Sequence, residues 1–343
     1  MAGTHGKTTT SSLLAHVLKE AETYPSYAVG GIIKNYGLNA ELGTGPYFVA
    51  EADESDGTHI KYHPFALIVT NIDQDHMEHY GTEEKLIEAF KALIYKVSDY
   101  AYLFTCGDDP ILKSLSLPGE KYGFDEGNSV RILSYRQCGL EQLFTLDANG
   151  KVYSDIFIPL IGRHNILNAA AVFALALKLN VPEKAIRYAF STFRGVDRRA
   201  DFRWEKKWVR MYDDYAHHPE EVKTTIDAFK EAYPQRRLVV VFQPHRYTRL
   251  KDNIDGFSSV LKADLVIITD VYAASENPID GVTGENLAKK TEKAIYIPRK
   301  GLANELSQLI RPFDIILSMG AGDITHLSEE LSHFNIRNLQ LGL

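Results

Sequence analysis

The sequence predicts a two-domain α/β chain: a phosphate-binding-loop domain on a mostly parallel sheet over residues 1–194, then a second α/β domain over residues 195–343. Three observations predict it. GTHGKTT, residues 3–9, runs into the helical apolar pattern Leu13, Leu14, Val17, Leu18. Short β-rich apolar runs then alternate with helical patterns. After Arg198-Arg199 the alternation starts afresh with its own strands.

In chain order, the loop leads a helix over residues 8–22, followed by strands at 47–50, 66–70 and 101–104 and a helix at 83–97. Residues from about 130 to 161 alternate with period two and contain Asn149-Gly150, a hairpin signal, so an antiparallel insert is expected there. The second series places strands at 209–213, 238–242, 265–269, 294–297 and 315–318, and the tail, 335–343, is expected to fray.

Bulk properties exclude several classes. An apolar content of 45% with 24% charged residues describes an ordinary globular chain, and a net charge of −7 leaves no basic footprint for nucleic acid. Cys106 and Cys138 have no metal-like spacing and read as free thiols in a reducing compartment. The longest wholly apolar run, 169–177, is half of what a bilayer span requires, and no secretion signal is visible, so a cytoplasmic protein without a membrane partner is expected. Oligomeric state is left open.

Chemistry-bearing residues collect where strands end. Backbone N–H groups of Gly3, Thr4, His5, Gly6, Lys7, Thr8 and Thr9 would cradle the phosphates of ATP, with Lys7 reaching the β/γ-phosphates and the Thr8 hydroxyl holding Mg²⁺. Lys7 is expected to be a solvated loop lysine. The competing reading is an ordinary loop-to-helix cap. A strand normally feeds such a loop, and here only Met1 and Ala2 precede Gly3, so an exposed sheet edge is expected in its place.

YFVAEADESDG offers Glu51 as a Mg²⁺ ligand, while at least two of Asp53, Glu54 and Asp56 read as a solvated acidic turn. LIVTNIDQDHMEHYG brings Asn71, Asp75 and His76 to the same edge; a His ligand is unusual for Mg²⁺ and compatible with Mn²⁺, the alternative being a capping residue. Asn165 and Asn168, three apart on one helix face, could pair with an adenine edge, or Asn165 could be an N-cap. Asp214 could accept from ribose hydroxyls and His217 or His218 face a substrate, against simple helix capping. His245, Arg246 and Arg249 suit a carboxylate or phosphate, against a solvated basic turn.

Taken in order, AGTHGKTT, EADESD, TNIDQDHME, GRHNILNA, GVDRRADF, DDYAHHPEEV, FQPHRYTR and DVYAASENP resemble the Mur ligase family over nearly the whole chain. The resemblance implies a central P-loop ATPase domain and a C-terminal Rossmann-like domain. It implies ATP-dependent, ADP-forming amide synthesis in peptidoglycan precursor assembly, through an acyl phosphate. FQPHRYTR and DVYAASE point to the branch that joins L-alanine to UDP-N-acetylmuramate, rather than to muropeptide-recycling or folylpolyglutamate-type relatives.

By the same resemblance Lys7 meets the γ-phosphate, Thr8 and Glu51 hold one Mg²⁺ and His76 helps hold a second. Asn165 and Asn168 flank adenine, Arg199 approaches the phosphates, Asp214 holds the ribose, and His217, His245, Arg246 and Arg249 line the acceptor side. Ala200 stands where the pattern usually has Phe, and Ser275 where it has Gly. Relatives also carry a uridine-diphosphate-binding domain ahead of the loop; the chain is expected to be a fragment lacking it, to bind the nucleotide sugar weakly and to be of doubtful activity alone. The rival classes are a P-loop ATPase or kinase and a nucleotide-binding module acting through a partner.

Overall fold

The computed structural model describes residues 1–334, and the expected fraying of 335–343 lies outside them. It divides into two compact units, Met1–Asp197 and Arg198–Leu343, against the expected division at 194/195.

The first unit runs α1 (Lys7–Glu20), β1 (Ser26–Ile33), β2 (Leu38–Glu41), β3 (Phe48–Ala50), β4 (Leu67–Val69), α2 (Met77–Tyr80), α3 (Glu83–Ile94), β5 (Leu103–Cys106), α4 (Pro110–Ser114), β6 (Glu120–Gly123), β7 (Val130–Cys138), β8 (Glu141–Ala148), β9 (Lys151–Ile158), α5 (Arg163–Lys178) and α6 (Glu183–Thr192). One sheet has the order β4-β5-β6-β7-β8-β9, a smaller one β2-β1-β3. The pairs β4/β5, β5/β6 and β6/β7 are parallel, whereas β7, β8 and β9 form an antiparallel meander. The period-two segment is therefore not an insert but the outer half of the main sheet. Asn149 and Gly150, at φ 54° and 86°, make the expected two-residue turn.

The expected exposed edge ahead of the loop is also corrected. Ala2 bridges Val69 in parallel, donating to Ile68 O and accepting from Thr70 N–H, while the Met1 amino group donates to Ala50 O and Met1 O accepts from Ala52 N–H. Two residues thus fill the slot between β3 and β4, and the loop leaves from a paired backbone. Beside it, α5 is apolar nearly all round and buried accordingly. Its Phe173 packs edge-on against Tyr153 and Phe190, ring centroids 5.1 and 5.9 Å away, and burying such a ring contributes about 2–3 kcal/mol.

The second unit runs β10 (Asp201–Lys206), β11 (Val209–Asp214), α7 (Pro219–Ala232), β12 (Leu238–Phe242), α8 (Tyr247–Val260), β13 (Leu265–Ile268), α9 (Gly284–Lys290), β14 (Ala294–Tyr296), α10 (Leu302–Leu309), β15 (Ile315–Met319) and α11 (Leu327–His333). Its sheet order is β10-β11-β15-β12-β13-β14, parallel except at the β10/β11 edge. That edge strand was not expected, because its turn is Lys207-Trp208, at φ 48° and 69°, with none of the Gly or Asn that announces a left-handed hairpin turn. β11, β15, β12 and β13 are the inner strands, and their residues are buried almost throughout, as two-sided coverage requires.

Candidate active site

In the first unit the loop is sewn to the end of β4. His5 N–H donates to Asn71 Oδ1 (2.8 Å) and Asn71 Nδ2 donates back to His5 O (3.0 Å). Thr70 and Thr4 add further bonds, Thr70 Oγ1 to His5 O at 2.6 Å and Asp73 N–H to Thr4 Oγ1 at 2.9 Å. The helix then starts at Gly6 in a left-handed conformation, φ 83°, with no side chain capping it. Open N–H donors at a helix N-terminus behind a glycine loop fit an incoming phosphate.

Lys7 is not solvated. Its ammonium donates to Gly3 O (2.7 Å) and Thr4 O (3.1 Å) and pairs with Glu54, whose oxygens lie 2.9 and 2.8 Å away. Glu54 is buried, and burial raises its pKa despite the neighbouring Lys7. Asp53 and Asp56 are exposed turn-formers, accepting from Ser55 and Thr58. Beside them the Thr8 hydroxyl donates to Glu51 Oε1 (3.0 Å), and Gly30 N–H donates to Glu51 Oε2 (2.7 Å). A Cβ on Gly30 would stand 2.9 Å from that carboxylate, so the Gly30-Gly31 step in a strand marks a close backbone approach. Thr8 and Glu51 are hard oxygen donors of the kind Mg²⁺ takes.

Asn165 and Asn168 are both buried on α5. Asn165 is not the N-cap, which is Gly162; its Nδ2 donates to Ile161 O (2.8 Å) and its Oδ1 accepts from Asn168 Nδ2 (3.2 Å). Asn168 lies against Gly6, so the pair supports the loop from behind. His76 caps α2 in a left-handed conformation, φ 55°. Its ring nitrogens lie 3.7 Å from Asp75 and 3.8 Å from Glu78, and among the described residues no hydrogen bond or ion pair joins it to Thr8 or Glu51.

In the second unit Asp214 ends β11, buried, and its oxygens accept from Ala200 N–H (2.7 Å) and Ala216 N–H (2.8 Å). Burial pushes its carboxyl up to about 6, opposed by Arg199 and these N–H groups. The positive φ of Ala200, 48°, belongs to the turn that Asp214 holds. The carboxylate is therefore occupied with its own backbone, which the ribose reading did not foresee. Asp213, unremarked in the sequence, pairs with Arg198 (3.4 Å) and accepts from Ser318 and Thr325.

A basic cluster stands after β11 and β12. His217 Nδ1 donates to Tyr215 O (2.9 Å), Arg199 lies 3.7 Å from Glu221, and Arg249 donates to His245 Nδ1 (3.3 Å). The rings of His217 and His245 are 6.0 Å apart, and Tyr272 of DVYAASENP stacks on His245 at 5.6 Å. Burial, then the neighbouring His217 and arginines, lowers His245 to about 4, and burial is also the chief cause lowering His217. Arg246 is exposed and opens α8, and its N–H donates to Tyr272 O. His218, the alternative to His217, is the buried N-cap of α7.

Residues 1–176 match the Mur ligase middle domain, and residues 198–322 match the Mur ligase, glutamate ligase domain. The chain belongs to the Mur ligase family. It is 45% identical to the UDP-N-acetylmuramate–L-alanine ligase of Protochlamydia amoebophila over 96% of the chain and 74% of that protein. The ligase of the same name from Anaeromyxobacter is 42% identical with the same coverage. Among solved structures, the UDP-N-acetylmuramate–alanine ligase of Thermotoga maritima superposes with a TM-score of 0.81 at 30% identity, covering 96% of the chain and 73% of that one.

In this Mur ligase the glycine loop, Lys7 and the Thr8–Glu51 pair lie in one unit, and Arg199, His217, His245 and Arg249 lie in the other. Asn71 stands at the strand end where it was expected, bonded to the loop. Glu54, Gly30, Glu221 and Tyr272 were missed as members of these clusters; of these only Gly30-Gly31 carried a signal, a glycine pair inside an apolar run.

Proposed function

We propose that the chain catalyses ADP-forming ligation of L-alanine to the carboxyl group of UDP-N-acetylmuramate in the cytoplasm. The single observation that carries the substrate assignment is the 45% identity, over 96% of the chain, to a ligase of that name. The chemistry fits the residues. An acceptor carboxylate oxygen attacks the γ-phosphorus, the bridge to the β-phosphate breaks, and ADP leaves; the loop N–H groups and Lys7 bind and neutralise the phosphates. Mg²⁺ held by Thr8 and Glu51 would supply further charge neutralisation there; the resemblance assigns His76 to a second cation.

The L-alanine nitrogen then attacks the acyl phosphate carbon, phosphate departs, and the amine loses a proton. His217 is held neutral with Nδ1–H spent on Tyr215 O, so its Nε2 presents a lone pair, and we assign it to that proton. Arg249 and Arg246 suit the carboxylate groups of the acceptor side.

ADP release and amide formation, measured together, test the reading. The expectation is ADP that appears only with both L-alanine and UDP-N-acetylmuramate, one amide per ADP by mass spectrometry. ADP release independent of the amine would assign the chain to the ATPase class instead.

A further inference from the structure

We propose that Glu54 is a latch for Lys7: in the nucleotide-free protein its carboxylate holds the lysine ammonium that a nucleotide phosphate must later win. The inference rests on the reading that Lys7 meets a phosphate. An ammonium has three donors, and all three are spent, on Gly3 O, Thr4 O and Glu54. A phosphate oxygen is met only when one of them is released.

The two carbonyls belong to the loop itself, which Asn71, Thr70 and Asp73 pin in place. Glu54 is the only anion of the three, and an anionic oxygen is what a phosphate replaces most directly. Its backbone is fixed, because Glu54 O accepts from Tyr80 Oη (2.5 Å) and from Gly57 N–H (3.0 Å). Its side chain is only 2% exposed, so water cannot take over from Lys7 when the pair opens. The open form is then a minor population, and apparent nucleotide affinity falls in proportion to that population. Asp53, one residue away, is exposed and has no bond to Lys7.

Calorimetric titration of the whole chain with MgATP separates the latch from its rivals. Glu54→Gln keeps the shape and removes the competing charge, and is expected to bind ATP about tenfold tighter, as a released fraction near a tenth implies. Asp53→Asn, which removes a neighbouring charge only, is expected to stay within about twofold of wild type. A merely structural Glu54 would instead give weaker binding in Glu54→Gln. Unchanged or weaker binding there, or an equal gain in Asp53→Asn, overturns the latch while leaving the nucleotide reading intact. If wild type itself binds no ATP, the nucleotide reading falls and the latch with it. Should Glu54→Gln melt far below wild type, Glu54→Met carries the same titration.

Discussion

Asn168 lies directly beneath Gly6: a Cβ placed on Gly6 would come within 3.0 Å of Asn168 Oδ1. Gly6 is also at φ 83°, so any side chain there meets strain from the backbone and from α5 together. Gly6→Ala is expected to lose about 1–3 kcal/mol in urea unfolding and to weaken ATP binding at least tenfold, as the loop must shift to relieve the contact. Unaltered affinity with an unaltered midpoint would show that the loop is not shaped by α5.

Lys7→Met is expected to be unstable as well as inactive, contrary to the behaviour of a solvated loop lysine. It strands a buried carboxylate, which costs about 3–5 kcal/mol. Adding Glu54→Gln should restore most of the lost stability but no ligase activity. Thermal melts of the single and double variants check it; equal melting of Lys7→Met and wild type would mean that the pair contributes nothing to the fold.

Glu51→Gln should raise the Mg²⁺ concentration for half-maximal activity on the order of tenfold, since it removes the charge of a two-oxygen donor set, and Thr8→Ala should act in the same direction. Titration of Mg²⁺ against ADP release decides. His76→Ala, whose ring partners are Asp75 and Glu78, should leave that midpoint nearer wild type and impair amide formation more.

His16 makes the first unit acid-sensitive. Its ring is fully enclosed between Tyr36 Oη (2.6 Å) and Thr192 Oγ1 (3.0 Å), and burial, reinforced by Lys19, lowers its pKa from 6.5 to about 4. The unfolded chain therefore binds a proton that the folded one refuses. Stability is complete above pH 6.5 and is lost as pH falls toward 4, at up to about 1.4 kcal/mol per pH unit. His16→Gln should flatten that slope between pH 6.5 and 4, measured by urea midpoints of the first unit; an unchanged slope would move the acid sensitivity elsewhere.

By itself the sequence determined the loop, the alternation of strands and helices in each half and the second α/β series, because apolar periodicity and glycine spacing are local properties of the chain. It also determined the family, because eight short motifs keep their order. Strand 238–242 and the Asn149-Gly150 turn were legible to the residue. β1 and β2 were not: β1 alternates in burial, but Ala28, Gly30 and Gly31 leave no polar face in its sequence to announce it, and β2 is mostly exposed.

Tertiary structure alone decided which acids are surface and which are machinery. Glu54 and Asp53 are adjacent and chemically alike, yet one is buried against Lys7 and the other caps a turn, because the backbone reverses at residues 53–57 and only one carboxylate can point inward. Long-range pairing likewise decided that Met1 and Ala2 bridge two strands, that Asn168 braces a loop more than 160 positions earlier, and that Asp214 is spent on Ala200 and Ala216. Such contacts join residues distant in sequence, and no local pattern encodes a partner that only folding brings within hydrogen-bond reach.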